Sequence, residues 1–438
     1  MKSYLSVIVG LLLLASSGHA QEKLALDLNR SLELAFSNNP EVVNAQLDIQ
    51  VAEADLAVAK GRFLPSLESR LSHNRKGTSS LTLSKTRGLV NTNQSYSMDT
   101  NLSWNLFSGG RNLSALKAER ISKQMAELNY QRVKQNIALK VAERYLACLK
   151  AKKMVEISQQ ALERSKAQLE RTEALFQVGS VPQADVMGQR VQLGREKLKL
   201  VRAKMDYKNA TVNLLCVLGI EPQGQQLELK DVETDLAYED IGFEEAFQRA
   251  LENRKDFTAL KKSLQVARYN LKASEGSLLP SLSAYVSYGL WDVALPHSFR
   301  SLSKIDNLTY GLVLSIPIFE RFQHRAEIQR ARLNSRKVET QLEESRRRIA
   351  LEVSSALDAL KMAKEAIAVA GENLKAAREN LRLAEERYRL GSGTLLDQIT
   401  ASVQLREAEA DYVNGLYDLT LAWMRLKNAT GTLGEQRW

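Results

Sequence analysis

The chain is written twice. Asn38 and Asn253, Gly61 and Gly276, and Pro65 and Pro280 pair at an offset of 215 residues. Phe107 and Phe319, Gly179 and Gly391, Asp185 and Asp397, and Gly219 and Gly431 pair at an offset of 212. The offset changes between the Pro and the Phe, in the most variable part of each half. Solenoid repeats run about 20–50 residues, so this period is too long for one. It marks one large duplicated unit, and each half is expected to lay down the same elements. The expected division is a first repeat over 21–220, a linker over 221–241 and a second repeat over 242–438.

Residues 1–20 read as a secretory signal peptide. Lys2 gives a positive start, Leu5 to Ala15 is apolar, and Gly18-His19-Ala20 carries small residues at the cleavage positions. The next residue is Gln21, not Cys, so no lipid anchor is expected. After Ala20 no apolar run of about 18 residues occurs, so no transmembrane helix is expected. The exported chain is then either soluble or crosses a membrane as β-strands. The formal charge of +10 falls to +9 without Lys2, and the excess is interleaved with acidic residues along helical segments. That pattern reads as solvated helix faces, not a nucleic-acid surface.

Two cysteines, Cys148 and Cys216, make no disulfide framework and are expected to be free thiols. The four His are scattered without metal-ligand spacing. No catalytic constellation stands out, so no enzyme activity, cofactor or metal is expected. Aromatics are only 6%, which suits long helices better than one compact globule.

In the second half, Val353, Ala356, Leu360, Ala363, Ile367, Ala370, Leu374, Ala377, Leu381, Ala384 and Tyr388 keep a 3-4 spacing. This is a coiled-coil seam. The first half repeats it through Val141, Cys148, Ala151, Val155, Ser158, Leu162, Ser165, Leu169, Thr172 and Phe176. The spacing predicts helices from about Gly110 to Gln177 and from Arg321 to Leu390, each roughly 100 Å long at 1.5 Å per residue. Each ends at a turn, 177–183 and 390–394, where Gly179 and Gly391 stop one helix and Pro182 and Thr394 open the next. Returning helices carry heptads at Val186, Leu193, Leu200, Tyr207 and Leu214, and at Leu405, Tyr412, Leu419 and Leu426. Earlier helices are expected over Pro40–Arg62 and Lys255–Gly276.

Between the earlier helix and the long one, the period switches to two. Tyr96, Met98, Thr100, Leu102, Trp104 and Leu106 share one face, and Ser97, Asp99, Asn101, Ser103 and Asn105 the other. Leu308, Tyr310, Leu312, Leu314, Ile316 and Ile318 form the matching face in the second half. Strands are expected at about 64–76 and 94–107, and at about 279–291 and 307–319. The polar loops joining them run from Lys76 to Thr92 and from Asp292 to Ile305. Strands of this length, apolar on one face and polar on the other, fit a transmembrane β-barrel with Leu102, Trp104, Leu312 and Leu314 toward lipid. A surface hairpin uses the same alternation, but both halves carry it and no other segment offers a core to cover. Four strands leave open edges, which lipid does not tolerate, so the chain must oligomerise. Three copies give twelve strands and a polar lumen; eight would fill with side chains. A tetramer also satisfies closure. The fold class is mainly α with a β-barrel part.

Ala35-Phe36-Ser37-Asn38-Asn39-Pro40, Phe63-Leu64-Pro65-Ser66-Leu67, Trp104-Asn105-Leu106-Phe107-Ser108-Gly109-Gly110, Leu278-Leu279-Pro280-Ser281-Leu282 and Ile316-Pro317-Ile318-Phe319 occur in order and doubled. With them the whole mature chain resembles the TolC family of outer-membrane efflux proteins. The resemblance implies a homotrimer in outer-membrane lipid, with a twelve-stranded barrel and an α-helical barrel reaching into the periplasm. It implies an exit duct docked to a periplasmic adaptor and an inner-membrane pump of resistance-nodulation-division or ABC type. It further implies that the turns Gly179-Ser180 and Gly391-Ser392 meet the adaptor. By the same match, Asp185 and Tyr388 make a gate hydrogen bond, and Asp397 forms a ring of three carboxylates. Gly393 stands where some members have Arg, and Thr400 where some have a second acidic residue.

Other readings of these residues stay open. Asp185 and Asp397 sit where a helix N-terminus favours a carboxylate. Thr394 and Asp397 have capping-box spacing. Tyr388 continues the seam and can simply pack. The competing function is a periplasmic structural or adaptor coiled-coil protein that never enters the membrane. It explains the seams but not the doubled amphipathic strands.

Overall fold

A computed structural model describes residues 24–84, 88–222, 227–232, 241–292 and 306–433. The expected signal peptide lies outside these residues. So do most of the expected Asp292–Ile305 loop and much of the 221–241 linker. The chain divides into two compact units. The first comprises residues up to Ala45, Tyr130–Lys255 and from Arg347 onward; the second comprises Gln46–Asn129 and Asp256–Arg346.

The long helices form where the seams predict them. α3 (Arg111–Gln177) and α7 (Gln323–Arg389) are 67 residues each. They return as α4 (Gln183–Leu218) and α8 (Leu395–Ala429). The expected earlier helices are α2 (Pro40–Gly61) and α6 (Lys255–Glu275). Pro40 opens α2 without wasting a donor, and the Asn39 side chain accepts from the Glu41 amide at 2.9 Å. Among the described residues no helix is long and apolar enough to cross a membrane.

Two further helices, α1 (Leu28–Asn38) and α5 (Phe243–Asn253), were not expected. Each has 11 residues, about the shortest length that periodicity can separate from a strand. Asp27 caps α1 by accepting from the Arg30 amide at 2.6 Å. The linker segment holds one short strand. Residues Leu227–Leu229 form β4, which pairs in parallel with β1 (Leu24–Leu26). Three residues give no period to read.

In the first unit the core gathers Leu26, Leu28, Leu32, Ala35 and Val42 with Ile137, Val141, Tyr145 and Leu149 of α3, and Leu214 and Leu218 of α4. The Tyr145 ring is fully buried, and its hydroxyl reaches the Leu26 and Lys230 carbonyls at 2.9 and 2.7 Å. It thereby ties α3 to Leu26 at the end of β1 and to Lys230, the residue after β4. The 38/253 and 219/431 positions also meet here. Asn39 donates to the Val217 carbonyl at 2.9 Å, and Arg254, at the matching position, donates to the Ala429 carbonyl at 3.5 Å. Arg254 is buried and pairs with Glu352. Cys148 is buried and Cys216 exposed, and both are free thiols. Burial pushes the Cys148 thiol up.

The second unit holds a four-stranded antiparallel sheet in the order β2-β3-β5-β6. β2 (Ser66–Ser84) and β3 (Gly88–Ser108) run well past the expected bounds. The supposed Lys76–Thr92 loop is mostly strand, paired as far as Ser84↔Gly88. Leu81, Leu83, Leu89 and Val90, set among Ser, Thr and Asn, carry enough β-propensity to continue the ladder. β5 (Ser281–Asp292) agrees with expectation, whereas β6 (Asp306–Ser315) stops short of residue 319. Pro317 has no amide hydrogen to give a ladder there.

The register carries one apolar face across all four strands. Leu67, Leu102, Val286 and Tyr310 lie side by side, and so do Trp104, Ala284 and Leu312. Leu314 pairs with Leu282, which pairs with Phe107. A β-bulge between Asn105 and Phe107 makes Leu106 the extra residue, so Phe107 replaces it on the expected apolar face. Leu67, Tyr310, Leu312 and Leu314 are 70%, 76%, 67% and 61% exposed. No described residue covers this face. The Trp104 indole N–H is nevertheless satisfied, donating to the Phe63 carbonyl at 2.9 Å.

Tyr145→Phe removes the hydroxyl that serves the Leu26 and Lys230 carbonyls, the first of them buried, a loss of about 1–3 kcal/mol. Hydrogen exchange of the β1 and β4 amides should accelerate by roughly 5- to 150-fold. Unchanged exchange there would show that the hydroxyl is not what holds these strands.

Candidate functional site

The two hairpin turns are built alike. α3 ends as Gly179 takes φ 76°, with the Gly179 amide on the Phe176 carbonyl and the Ser180 amide on the Leu175 carbonyl, both at 2.9 Å. α7 ends as Gly391 takes φ 71°, with the Gly391 amide on the Tyr388 carbonyl at 3.1 Å and the Ser392 amide on the Arg387 carbonyl at 3.0 Å. These bonds satisfy the last carbonyls of each helix. The Ser392 hydroxyl adds a bond to the Arg387 carbonyl at 3.2 Å. Gly393 lies against the chain it follows. A Cβ there would meet the Arg387 Cβ at 3.0 Å, which makes Arg a tight fit at this position.

Beyond the turns the two acidic residues behave differently. Asp397 closes a full capping box. Its Oδ2 accepts from the Thr394 amide at 3.1 Å and hydroxyl at 2.7 Å, while its own amide donates to the Thr394 hydroxyl at 3.2 Å. These bonds, with Arg387 nearby, hold its carboxyl below the usual value. Asp185 has no such cap, because Pro182 precedes α4 and offers no side-chain hydrogen bond. Instead the Tyr388 hydroxyl donates to Asp185 Oδ2 at 3.0 Å. This bond joins α7 to α4, between residues 203 apart in sequence. Burial, and then the Asp185 carboxylate, push the Tyr388 phenol up to about 12.

Behind the turns lies a polar layer that the heptads did not disclose. Gln189, Gln192 and Glu196 of α4 are buried, displacing the expected Leu193 from the centre of the seam. Gln168 of α3 donates to Gln398 of α8 at 2.8 Å, and Arg164 pairs with Glu409 at 3.1 Å. Glu196 accepts from Gln192 at 2.9 Å and lies 3.9 Å from Arg406. A cavity of about 30 Å³ among Arg164, Ser165, Gln168, Gln189, Gln192 and Gln398 has room for water, the natural partner of such groups. The signal was present: Gln189 and Glu196 stand three residues after Val186 and Leu193, at the alternate seam positions, and Gln192 lies one step before Leu193. A larger open groove of about 480 Å³ runs along Gln168, Arg171, Leu175, Arg382, Tyr388 and Gln398. No group of residues that could hold a metal occurs among the described residues.

The two shifts act at opposite ends of the pH scale. The Asp397 cap is complete above its ordinary pKa of 3.8 and is lost as pH falls through the lowered value. The Tyr388–Asp185 bond is complete below the ordinary phenol value of 10.0 and is lost as pH rises through about 12. Spectrophotometric titration of the protein minus that of Tyr388→Phe should show a phenol with its midpoint near the upper value. A midpoint at the ordinary value would contradict the bond.

The outer membrane efflux protein family model matches residues 31–220 and 246–432. The outer membrane protein TolC of Escherichia coli is 24% identical over all of this chain and 88% of its own length. Among solved structures, CusC matches at a TM-score of 0.80 with 19% identity, covering 92% of each chain. The CmeC outer membrane channel of Campylobacter jejuni matches at 0.79 with 20% identity, over 92% of this chain and 85% of its own. The match spans both halves of the sequence and every element that carries the hairpin turns, and the chain belongs to the outer membrane efflux protein family.

Proposed function

We propose that this chain is one subunit of a homotrimeric exit duct, with a twelve-stranded barrel in the outer membrane and a gate at its periplasmic hairpin turns. As a member of its family it is an outer-membrane channel protein of efflux or secretion, extending into the periplasm. The trimer, the barrel and the gate are the further step. They rest on the apolar surface that one chain leaves bare. The sheet face through Leu67, Leu102, Tyr310, Leu312 and Leu314 suits lipid, and its opposite face of Asn101, Ser103, Ser283 and Thr309 suits a wet lumen. The sheet ends at β2 and β6 within the chain, and lipid requires those edges to pair.

The helices support the same assembly. α4 exposes Met187, Val191, Leu198, Val201, Met205 and Val212, and α7 exposes Met362, Val369 and Leu383, with Leu390 just past its end. Both stripes keep coiled-coil spacing on sides that no described residue covers, which is the pattern of a helix packed on two fronts. A periplasmic structural or adaptor coiled coil would use the stripes but would leave the sheet face in water. The groove along Arg171, Arg382 and Tyr388 is the place for a helical periplasmic adaptor, linking the duct to an inner-membrane pump.

The gate is the Tyr388–Asp185 bond in three copies. A hydrogen bond to a charged group is worth roughly 1.5–3 kcal/mol, so three copies hold the turns closed by several kcal/mol. An adaptor that prefers the open turns shifts that balance. Asp397 keeps its Oδ1 clear of the capping box and supplies the ring of three carboxylates.

The protein should fractionate with the outer membrane as a heat-dissociable oligomer; a soluble periplasmic monomer contradicts the proposal. Leu102→Arg or Leu312→Arg places a charge toward lipid at about 2–4 kcal/mol and should impair assembly, whereas Asn101→Arg should be tolerated. In planar bilayers, Tyr388→Phe with Asp185→Ala should raise single-channel conductance. Asp397→Ala should leave the closed state intact and weaken block by multivalent cations. Wild-type conductance in the double variant would place the gate elsewhere.

A further inference from the structure

The foot of the sheet carries backbone strain that the first half of the chain avoids. After β3 the chain enters α3 through Gly109 and Gly110, at φ 62° and 80°. At the matching place before α7 stand Arg321 and Phe322, at φ 49° and 63°. These are the non-glycine residues with positive φ in the described chain. Left-handed backbone is disfavoured for L side chains, and two in succession persist only where something offsets them. Glycine makes the same turn in the first half, so the fold does not require these side chains.

Both side chains point outward with their neighbours. Ile318, Phe319 and Phe322 are 92%, 70% and 63% exposed. Phe319 and Phe322 meet edge to face at 5.6 Å beside a cavity of about 180 Å³ that Leu278 and Pro317 also line. Ile316 and Ile318 follow directly on the end of β6, so this patch adjoins the sheet that carries Leu312 and Leu314. Next to it the charges are sorted. His324 lies 3.0 Å from Glu320 and 3.4 Å from Glu327, which occupies both local carboxylates. Arg321 and Arg325 are exposed and take part in no ion pair among the described residues; Arg325 sits 5.8 Å from the Phe322 ring. Apolar, aromatic and uncommitted cationic side chains thus stand within eight residues, Ile318 to Arg325, with Arg321 and Arg325 on either side of Phe322. That combination suits a bilayer interface, where acyl chains meet headgroup phosphates.

We propose that Pro317–Arg325 binds a phospholipid of the inner leaflet, an anionic one above all. Ile318, Phe319 and Phe322 take the acyl chains, and Arg321 and Arg325 take the phosphate. This site rests on the outer-membrane reading above. Lipid contact offsets the strain of Arg321 and Phe322 and fixes the depth at which the sheet gives way to α7.

The test uses the full oligomer, purified in mild detergent and mixed with phosphatidylglycerol or phosphatidylethanolamine, with retained lipid counted by native mass spectrometry. Arg321→Gly with Phe322→Gly restores the Gly-Gly turn of the first half, so it should fold at least as well by heat dissociation. It should nevertheless lose phosphatidylglycerol, about fivefold for each Arg removed, the effect of one basic residue near an anionic surface. Arg325→Gln should show the same loss singly, and inorganic phosphate should not displace the lipid. Equal lipid retention by the Gly-Gly variant would overturn the site. Displacement by phosphate would reduce it to an anion site, and dissociation of the variant into monomers would make the patch a contact between copies; either overturns it. Conductance of the wild type in planar bilayers reports the membrane reading separately. Conductance without lipid preference sinks this site alone, and absence of conductance sinks both.

Discussion

Coverage of apolar surface is the constraint on which the whole structure depends. α4 and α7 each carry two apolar sides, and the described residues cover only one. Val186, Leu200 and Leu214 are buried, while Val191, Leu198 and Val201 on the same helix stand in the open. At roughly 25 cal/mol per Å² of apolar area, such stripes are too costly to leave in water along helices of 36 and 67 residues. The sheet repeats the problem in another solvent. Its bare face suits lipid, and its edges need other strands. In the proposed trimer, identical neighbours meet both needs together, a second front for the helices and closure for the strands. The family's architecture follows from that requirement.

Against this apolar frame the polar groups near the hairpin turns are exceptions with a purpose. Gln189, Gln192 and Glu196 interrupt the α4 seam; the first two share a water-sized cavity with Gln168 of α3 and Gln398 of α8, and Glu196 lies 3.9 Å from Arg406 of α8. A purely apolar seam would lock one register. Polar layers hold register by specific bonds that can be exchanged. The Tyr388–Asp185 bond is the outermost such link. The capping box of Asp397 belongs to a different class, since it stabilises the start of its own helix and leaves an oxygen over. Two aspartates at matching positions thus do different work, because Pro182 precedes one and Thr394 the other.

Much of this was legible in the residues. Unbroken seams set the long helices within two residues, because a 3-4 spacing sustained over many turns admits one interpretation. The apolar sheet face was legible for the same reason at period two. What stayed hidden was short or non-periodic. α1, α5 and the β1–β4 pair are too brief to show a period. The continuation of β2 and β3 through Lys76–Thr92 was masked by its polar composition, and Pro317 ended β6 before its alternation did. The bulge at Leu106 moved one face by a residue, which no count of alternation reveals. The family match carried the pairing of Tyr388 with Asp185, which no pattern within either half predicts.

The central claim is that three identical chains cover what one leaves bare. Sedimentation equilibrium of the protein in density-matched detergent tests it most directly. The account predicts a particle of three chains that persists on dilution. A stable monomer retaining the full helical content would contradict it, since α4 and α7 would then hold their second apolar fronts in water.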